Sequence, residues 1–201
     1  MNRLHGLLGA WLLGCAPALE PSQVMAEGPP LRDVELSVGR GEDAVVVHLA
    51  GAWMDDDGSG QGVQAQAEVP GPAPLVITSH RSTWSLRDGT MVFEGEVEAT
   101  RGEVVLDCDR LEVSYQNDRV ERAVASGAVR VRRGEQEARG SRALLTMADG
   151  RLVLEGDPVL RDGARHLRGE RIVLFLDDER VECEQCRVEI AADVVVREES
   201  P

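Results

Sequence analysis

Apolar and polar residues alternate along much of the chain. Met91, Phe93, Gly95, Val97 and Ala99 fall on one face of an extended segment, and Glu94, Glu96 and Glu98 fall on the other. Ala123, Ala125, Gly127, Val129 and Val131 repeat the pattern, with Arg130 and Arg132 outward. A period of two marks a half-buried antiparallel strand, because successive side chains point to opposite faces of a sheet. No segment past residue 30 carries helical periodicity, so the fold is predicted to be all-β. Parity slips between Val104/Leu106/Cys108 and Leu111/Val113/Tyr115. The extra residue at Asp109–Arg110 predicts a bulge or a corner there.

The alternation is organised into repeats. Arg87 to Gly95 (RDGTMVFEG) and Ala148 to Gly156 (ADGRLVLEG) lie 61 residues apart and agree at five of nine positions. A third copy sits between them: Gly95, Gly102, Leu111 and Val113 map by 32 residues onto Gly127, Gly134, Ala143 and Leu145. A further 29 residues lead to Gly156, Gly163, Ile172 and Leu174. A fourth, partial copy starts at Asp178 and puts Cys183 in the slot of Phe93 and Leu154, and Cys186 in that of Glu96 and Asp157. Cys183 is therefore expected inside and Cys186 outside. Asp88-Gly89 and Asp149-Gly150 predict tight hairpin turns with φ > 0 at both central residues. Strand pairs repeated with corners predict a folded-over antiparallel sheet, either a jelly roll or a β-solenoid.

Upstream the pattern is weaker. Val34, Leu36 and Val38 alternate, and Val45, Val46 and Val47 follow a turn, which predicts a short hairpin. The segment with Asp55-Asp56-Asp57 and Pro70, Pro72 and Pro74 reads as a linker. Its aspartates are adjacent, whereas an EF-hand loop needs them alternate. The expected organisation is thus a short β-hairpin and linker over 31–73 and a β domain over 74–196. Before them, Arg3 and the apolar run Leu4 to Gly14 form a signal segment too short to span a bilayer. It ends in Leu12-Leu13-Gly14-Cys15, which resembles a bacterial lipobox. A signal peptide over 1–14, acylation of Cys15 and a proline-rich flexible tether over 15–30 are the expectations.

Composition narrows the function. The net charge is −14 and all 22 basic residues are arginine, without basic–aromatic clusters, which argues against nucleic acid as a partner. His48, His80 and His166 stand in no triad or metal spacing, and the carboxylates mostly alternate with apolar residues on solvated strand faces. No catalytic residue, metal or cofactor is assigned. Cys183-x-x-Cys186 lacks a second ligand pair for zinc. A disulfide between residues three apart requires a turn, since in a strand they lie about 10 Å apart. Unpaired cysteines are expected. Arginines 29 apart (Arg132/Arg161, Arg139/Arg168, Arg142/Arg171) are expected to pair with acidic residues across strands.

Three stretches then carry a resemblance: Pro74-Leu75-Val76-Ile77; Val92 to Val97 (VFEGEV); and Leu106 to Val113 (LDCDRLEV). With the glycine-centred Ala125 to Val129 and Leu154 to Leu160, their order resembles OstA-like domains of the lipopolysaccharide-transport family, with LptA-like and LptC-like members. Cys108-Asp109 stands where that family often has Ala-Asp. The resemblance implies an OstA-like β-jellyroll in the periplasm of a Gram-negative cell, serving lipopolysaccharide transport toward the outer membrane as a non-enzymatic bridge or carrier. It further implies that lipopolysaccharide or a related lipid lies between the sheets, and that other transport-system β-jellyroll proteins join by edge-strand pairing, with self-association by the same route. The interior slots hold Phe93, Val97, Leu106, Leu111, Val113, Val129, Val131, Leu145, Leu154, Ile172 and Leu174. They line an acyl-chain groove if the sheets splay and form a dry core if they do not; the pattern leaves both open. The open edges are expected near Leu75–Trp84 and Val188–Val196. A β-solenoid scaffold assembling through its ends without a lipid is the alternative.

Overall fold

The computed structural model describes residues 31–190 apart from 40, 42, 43, 72, 117, 118 and 179. The signal segment, Cys15, the tether and residues 191–201, with Val194 and Val196, lie outside the described residues. Fourteen strands are described: β1 (Leu31–Val38), β2 (Val45–Met54), β3 (Gly60–Val69), β4 (Leu75–Ser85), β5 (Thr90–Arg101), β6 (Val104–Gln116), β7 (Arg119–Arg133), β8 (Gln136–Thr146), β9 (Arg151–Glu155), β10 (Val159–Asp162), β11 (Arg165–Arg168), β12 (Arg171–Phe175), β13 (Val181–Glu184) and β14 (Arg187–Ile190). They form one antiparallel sheet, and from β1 to β8 each strand pairs with the next.

The sheet is folded along a line that crosses the middle of every long strand. Beyond β8 the strands break at this line. Gln136–Arg139 of β8 pairs with β10, and Arg142–Thr146 pairs with β9. From there β9, β12 and β13 continue one wall and β10, β11 and β14 the other. We call these the β9 wall and the β10 wall. Their inner faces meet in a single apolar core.

Register shifts mark the fold line, between Glu94 and Val97, Asp107 and Arg110, and Ser126 and Val129. Gly95, Gly127 and Gly156 have φ of 80°, 75° and 77°, and the residues after them, Glu96, Ala128 and Asp157, are also left-handed. Two consecutive left-handed residues turn the strand through the corner, and glycine takes the first of them without a Cβ penalty. Asp33, Gln64 and Gln185 are left-handed as well, so the positions run 33, 64, 96, 128, 157 and 185. The repeat therefore extends through the described chain from β1 to β14, beyond the copies visible in the sequence.

Several expectations are corrected. Gly60–Val69, assigned to the linker, is β3, paired on both sides. Its inward residues are Gly62, Ala65, Ala67 and Val69, small side chains that leave a faint hydrophobic signal. Smallness is required there, since a Cβ on Gly62 would stand 2.7 Å from Leu49. Leu75–Trp84, expected at an edge, belongs to the interior strand β4, because β1–β3 carry the sheet past it. Among the described strands the edge on that side is β1. In the hairpins after β4 and β8 only Gly89 and Gly150 have positive φ. Four residues, Leu86 to Gly89, make the first of these turns, which Ser85 closes by donating its hydroxyl to Asp88 Oδ2 at 2.6 Å.

Cys183 and Cys186 are bonded to each other, against the expectation of unpaired residues, with Cα atoms 5.9 Å apart. The fold line supplies the turn that a straight strand lacks: Gln185 between them has φ 52°. Ile172 pairs with Leu154 on one side and Cys183 on the other, so the slot assigned to Cys183 holds. Cys186 is exposed as expected, but Cys183 is only half-buried, because β13 pairs only with β12 among the described strands.

Candidate functional site

All eleven interior-slot residues are buried in the apolar core between the walls. Phe93, Leu111, Val113, Leu145, Leu154, Ile172 and Leu174 project from the β9 wall, and Val97, Leu106, Val129 and Val131 from the β10 wall. They divide by depth. Leu106, Leu111 and Leu145 line a cavity of about 30 Å³. Val131 and Leu174 line one of about 10 Å³, and Phe93 and Val113 another of the same size. Val97, Val129, Leu154 and Ile172 border none of these spaces. A cavity of 30 Å³ holds roughly one water. The walls are packed against each other, and an acyl chain fits only if they part.

The outer face beside the fold line carries a row of charge. Paired positions read Arg81, Glu94, Arg110, Ser126, Arg142, Glu155, Arg171 and Glu184 across successive strands. Arg110 lies 2.6 Å from Glu94, and Arg171 lies 3.1 Å from Glu155 and 3.6 Å from Glu184. Arg132 pairs with Asp107 at 2.9 Å and Arg139 pairs with Glu137. For Arg132 and Arg171 the cross-strand reading thus holds, whereas Arg139 pairs along its own strand β8; all three guanidiniums are occupied on the outside, away from the interior.

Opposite the fold line lies the mouth between the walls. There the turn after β12 reaches across from the β9 wall, and Leu176 enters both the 30 Å³ cavity and its neighbour. Leu176 donates its N–H to the Gly150 carbonyl at 2.8 Å. From the β10 wall, Arg101 Nη2 donates to Asp177 Oδ1 at 3.1 Å, and Arg133 Nη1 donates to the carbonyls of Phe175 at 3.0 Å and Asp178 at 2.6 Å. Two arginines therefore clamp this turn over the mouth. The Arg101 side chain is only 14% exposed, and its Nη1 is buried without a hydrogen-bond partner. Sequence reasoning missed this pair, although a signal existed. Arg101-Gly102 and Arg133-Gly134 are 32 residues apart, the spacing of the repeat.

The repeat, the folded-over open sheet and its apolar interior find a counterpart among known families. Residues 76–180, just over half of the 201, match the model of the LptA/(LptD N-terminal domain) LPS transport protein family. The chain belongs to that family. Its fold is the LptA-type β-jellyroll, an unclosed curled sheet. Among solved structures it resembles LptH, the LptA-homologous periplasmic component of the lipopolysaccharide transport device of Pseudomonas aeruginosa. The two share 15% identity at a TM-score of 0.54, over 60% of this chain and 96% of that one. No curated protein sequence matches the chain. The family match covers β5 to β12 and most of β4. It thus contains the arginines of the mouth and all eleven slot residues.

Proposed function

We propose that this LptA-family protein binds lipopolysaccharide or a related lipid between its walls and passes it across the periplasm as a non-enzymatic bridge or carrier. The observation that carries this reading is an interior lined by aliphatic side chains in a sheet whose described strands leave both ends open. Burial of acyl chains contributes about 0.8 kcal/mol per methylene. One long chain thus contributes on the order of 10 kcal/mol before the cost of parting the walls and ordering the lipid. The spaces beside Leu106, Leu111 and Leu145 are where parting begins in this reading. The test is a photocrosslinking side chain at Leu111, inside, and another at Glu112, outside. Crosslinks to lipopolysaccharide from Leu111 alone support the reading, and equal crosslinking from both sinks it.

The edges suit strand addition to other β-jellyroll proteins of the transport system or to a second copy. At one end Leu31 is exposed on β1, and at the other Val188 and Ile190 are exposed on β14. The lipobox places Cys15 as an acylated N-terminus that tethers the protein to a membrane facing the periplasm. A second reading, a scaffold that assembles without lipid, is favoured by the close packing of the walls. Saturable lipopolysaccharide binding decides between them, since a scaffold shows none.

A further inference from the structure

We propose that Arg101 and Arg133 form the anionic-headgroup site of the acyl-chain groove, a site that Asp177 of the protein's own chain occupies in this structure. The proposal rests on the groove reading above and adds a ligand chemistry to it: a phosphate or carboxylate joined to an alkyl chain. Both guanidiniums stand at the mouth, where the head of an amphiphile lies when its tail is inside. Arg101 is itself part of the wall of the 30 Å³ cavity between the walls, beside Leu75, Ala99 and Val104.

The ion pair is asymmetric. Arg101 is 14% exposed whereas Asp177 is 66% exposed, so the carboxylate returns to water readily and the guanidinium does not. Removal of Asp177 leaves a largely buried cation that needs an anion. A guanidinium presents a planar fork of donors that fits two oxygens at once. Asp177 Oδ1 takes one arm, and Nη1 is left buried without an acceptor, a state that costs free energy. A phosphate supplies the second oxygen. Arg133 now spends Nη1 on two backbone carbonyls of the same turn, and these bonds are released when the turn lifts, while Nη2 keeps its bond to Gln136. Lifting also withdraws Leu176 from the interior, so head recognition and access for the tail are one event.

The experiment compares lauryl phosphate, lauryl alcohol and inorganic phosphate, each titrated below micelle formation against the full chain. Wild type is expected to bind lauryl phosphate about tenfold more tightly than the alcohol, and inorganic phosphate far more weakly than either. Arg101→Gln should abolish the preference, so that lauryl phosphate and lauryl alcohol bind with about equal affinity. Asp177→Asn should tighten lauryl phosphate several-fold, because the internal competitor has lost its charge. A purely structural clamp predicts the same sign for both variants, so a parallel loss or a parallel gain overturns the proposal. Inorganic phosphate binding as tightly as lauryl phosphate makes this a free-anion site and also overturns it. Wild type that binds neither amphiphile sinks the groove reading itself, whereas equal binding of both, insensitive to Arg101→Gln, sinks only the headgroup site. Should Arg101→Gln fail to fold, Asp177→Asn decides alone: it keeps both arginines, so a larger gain for lauryl phosphate than for lauryl alcohol supports the site and equal gains for both overturn it.

Discussion

Gly127 lies directly beneath Asp109 at the fold line: a Cβ added to Gly127 would stand 2.8 Å from the Cβ of Asp109. The same relationship joins Gly156 to Ser141, again at 2.8 Å between Cβ positions, and Gly95 sits against His80 at 3.3 Å. Glycine is needed at these corners both for its left-handed φ and for the closeness of the next strand.

Gly127→Ala is therefore expected to cost about 2–3 kcal/mol, of which the left-handed backbone accounts for roughly 1–2. Gly134→Ala provides the control. Its φ is 57°, but nothing lies within 4 Å of the added Cβ, so only the backbone part should appear. Urea unfolding of both variants measures the difference. Equal losses would mean that the contact with Asp109 contributes nothing.

Cys108 is buried, and burial pushes its thiol up to about 11 from the usual 9.0. A thiol raised in the folded state is neutral there, so its contribution to stability is intact below about pH 9. That contribution declines as pH rises from 9 through about 11. Native protein at neutral pH should react with a thiol reagent only at its unfolding rate, and Cys108→Ser should flatten the alkaline fall in stability. Fast labelling at neutral pH would place Cys108 in an open, not a closed, interior.

The disulfide at the last corner closes a very short loop, so its removal should cost no more than about 2 kcal/mol. Hydrogen exchange in Cys183→Ser/Cys186→Ser should rise in β13 and β14 and stay unchanged in β5–β8. After mild reduction of wild type, Cys186 should alkylate ahead of half-buried Cys183.

Val188 and Ile190 are 58% and 69% exposed on β14. Val188→Lys/Ile190→Lys puts charge on this edge, on the face that Leu160 and Leu167 carry inward, and should block strand addition. Light scattering and pull-down with a partner jellyroll should show loss of assembly. Normal assembly would move the joint to another surface.

Cys15→Ala should release the protein from the membrane fraction into the soluble periplasm. Wild type already soluble with an unmodified N-terminus would replace the lipoprotein reading with a plain cleaved signal.

Strand identity and inward face were legible in the chain at every slot from Met91 to Leu174, because the direction of a side chain in a strand is a local, period-two property. The repeat was legible for the same reason, since each copy meets the same neighbours and keeps the same residue types. β3 was not, because Gly62, Ala65 and Ala67 are chosen for the closeness of Leu49 and the facing strands, and small residues carry little pattern of their own. Nor was the pairing of Cys183 with Cys186, which depends on the left-handed corner at Gln185, a conformation that glutamine does not announce. The mouth lay furthest from reach. Arg101 and Asp177 are 76 residues apart, and only the folding of one wall onto the other brings them to 3.1 Å. Local alternation thus determined which residues face inward, and the closure of the sheet decided what they enclose and which charges guard the opening.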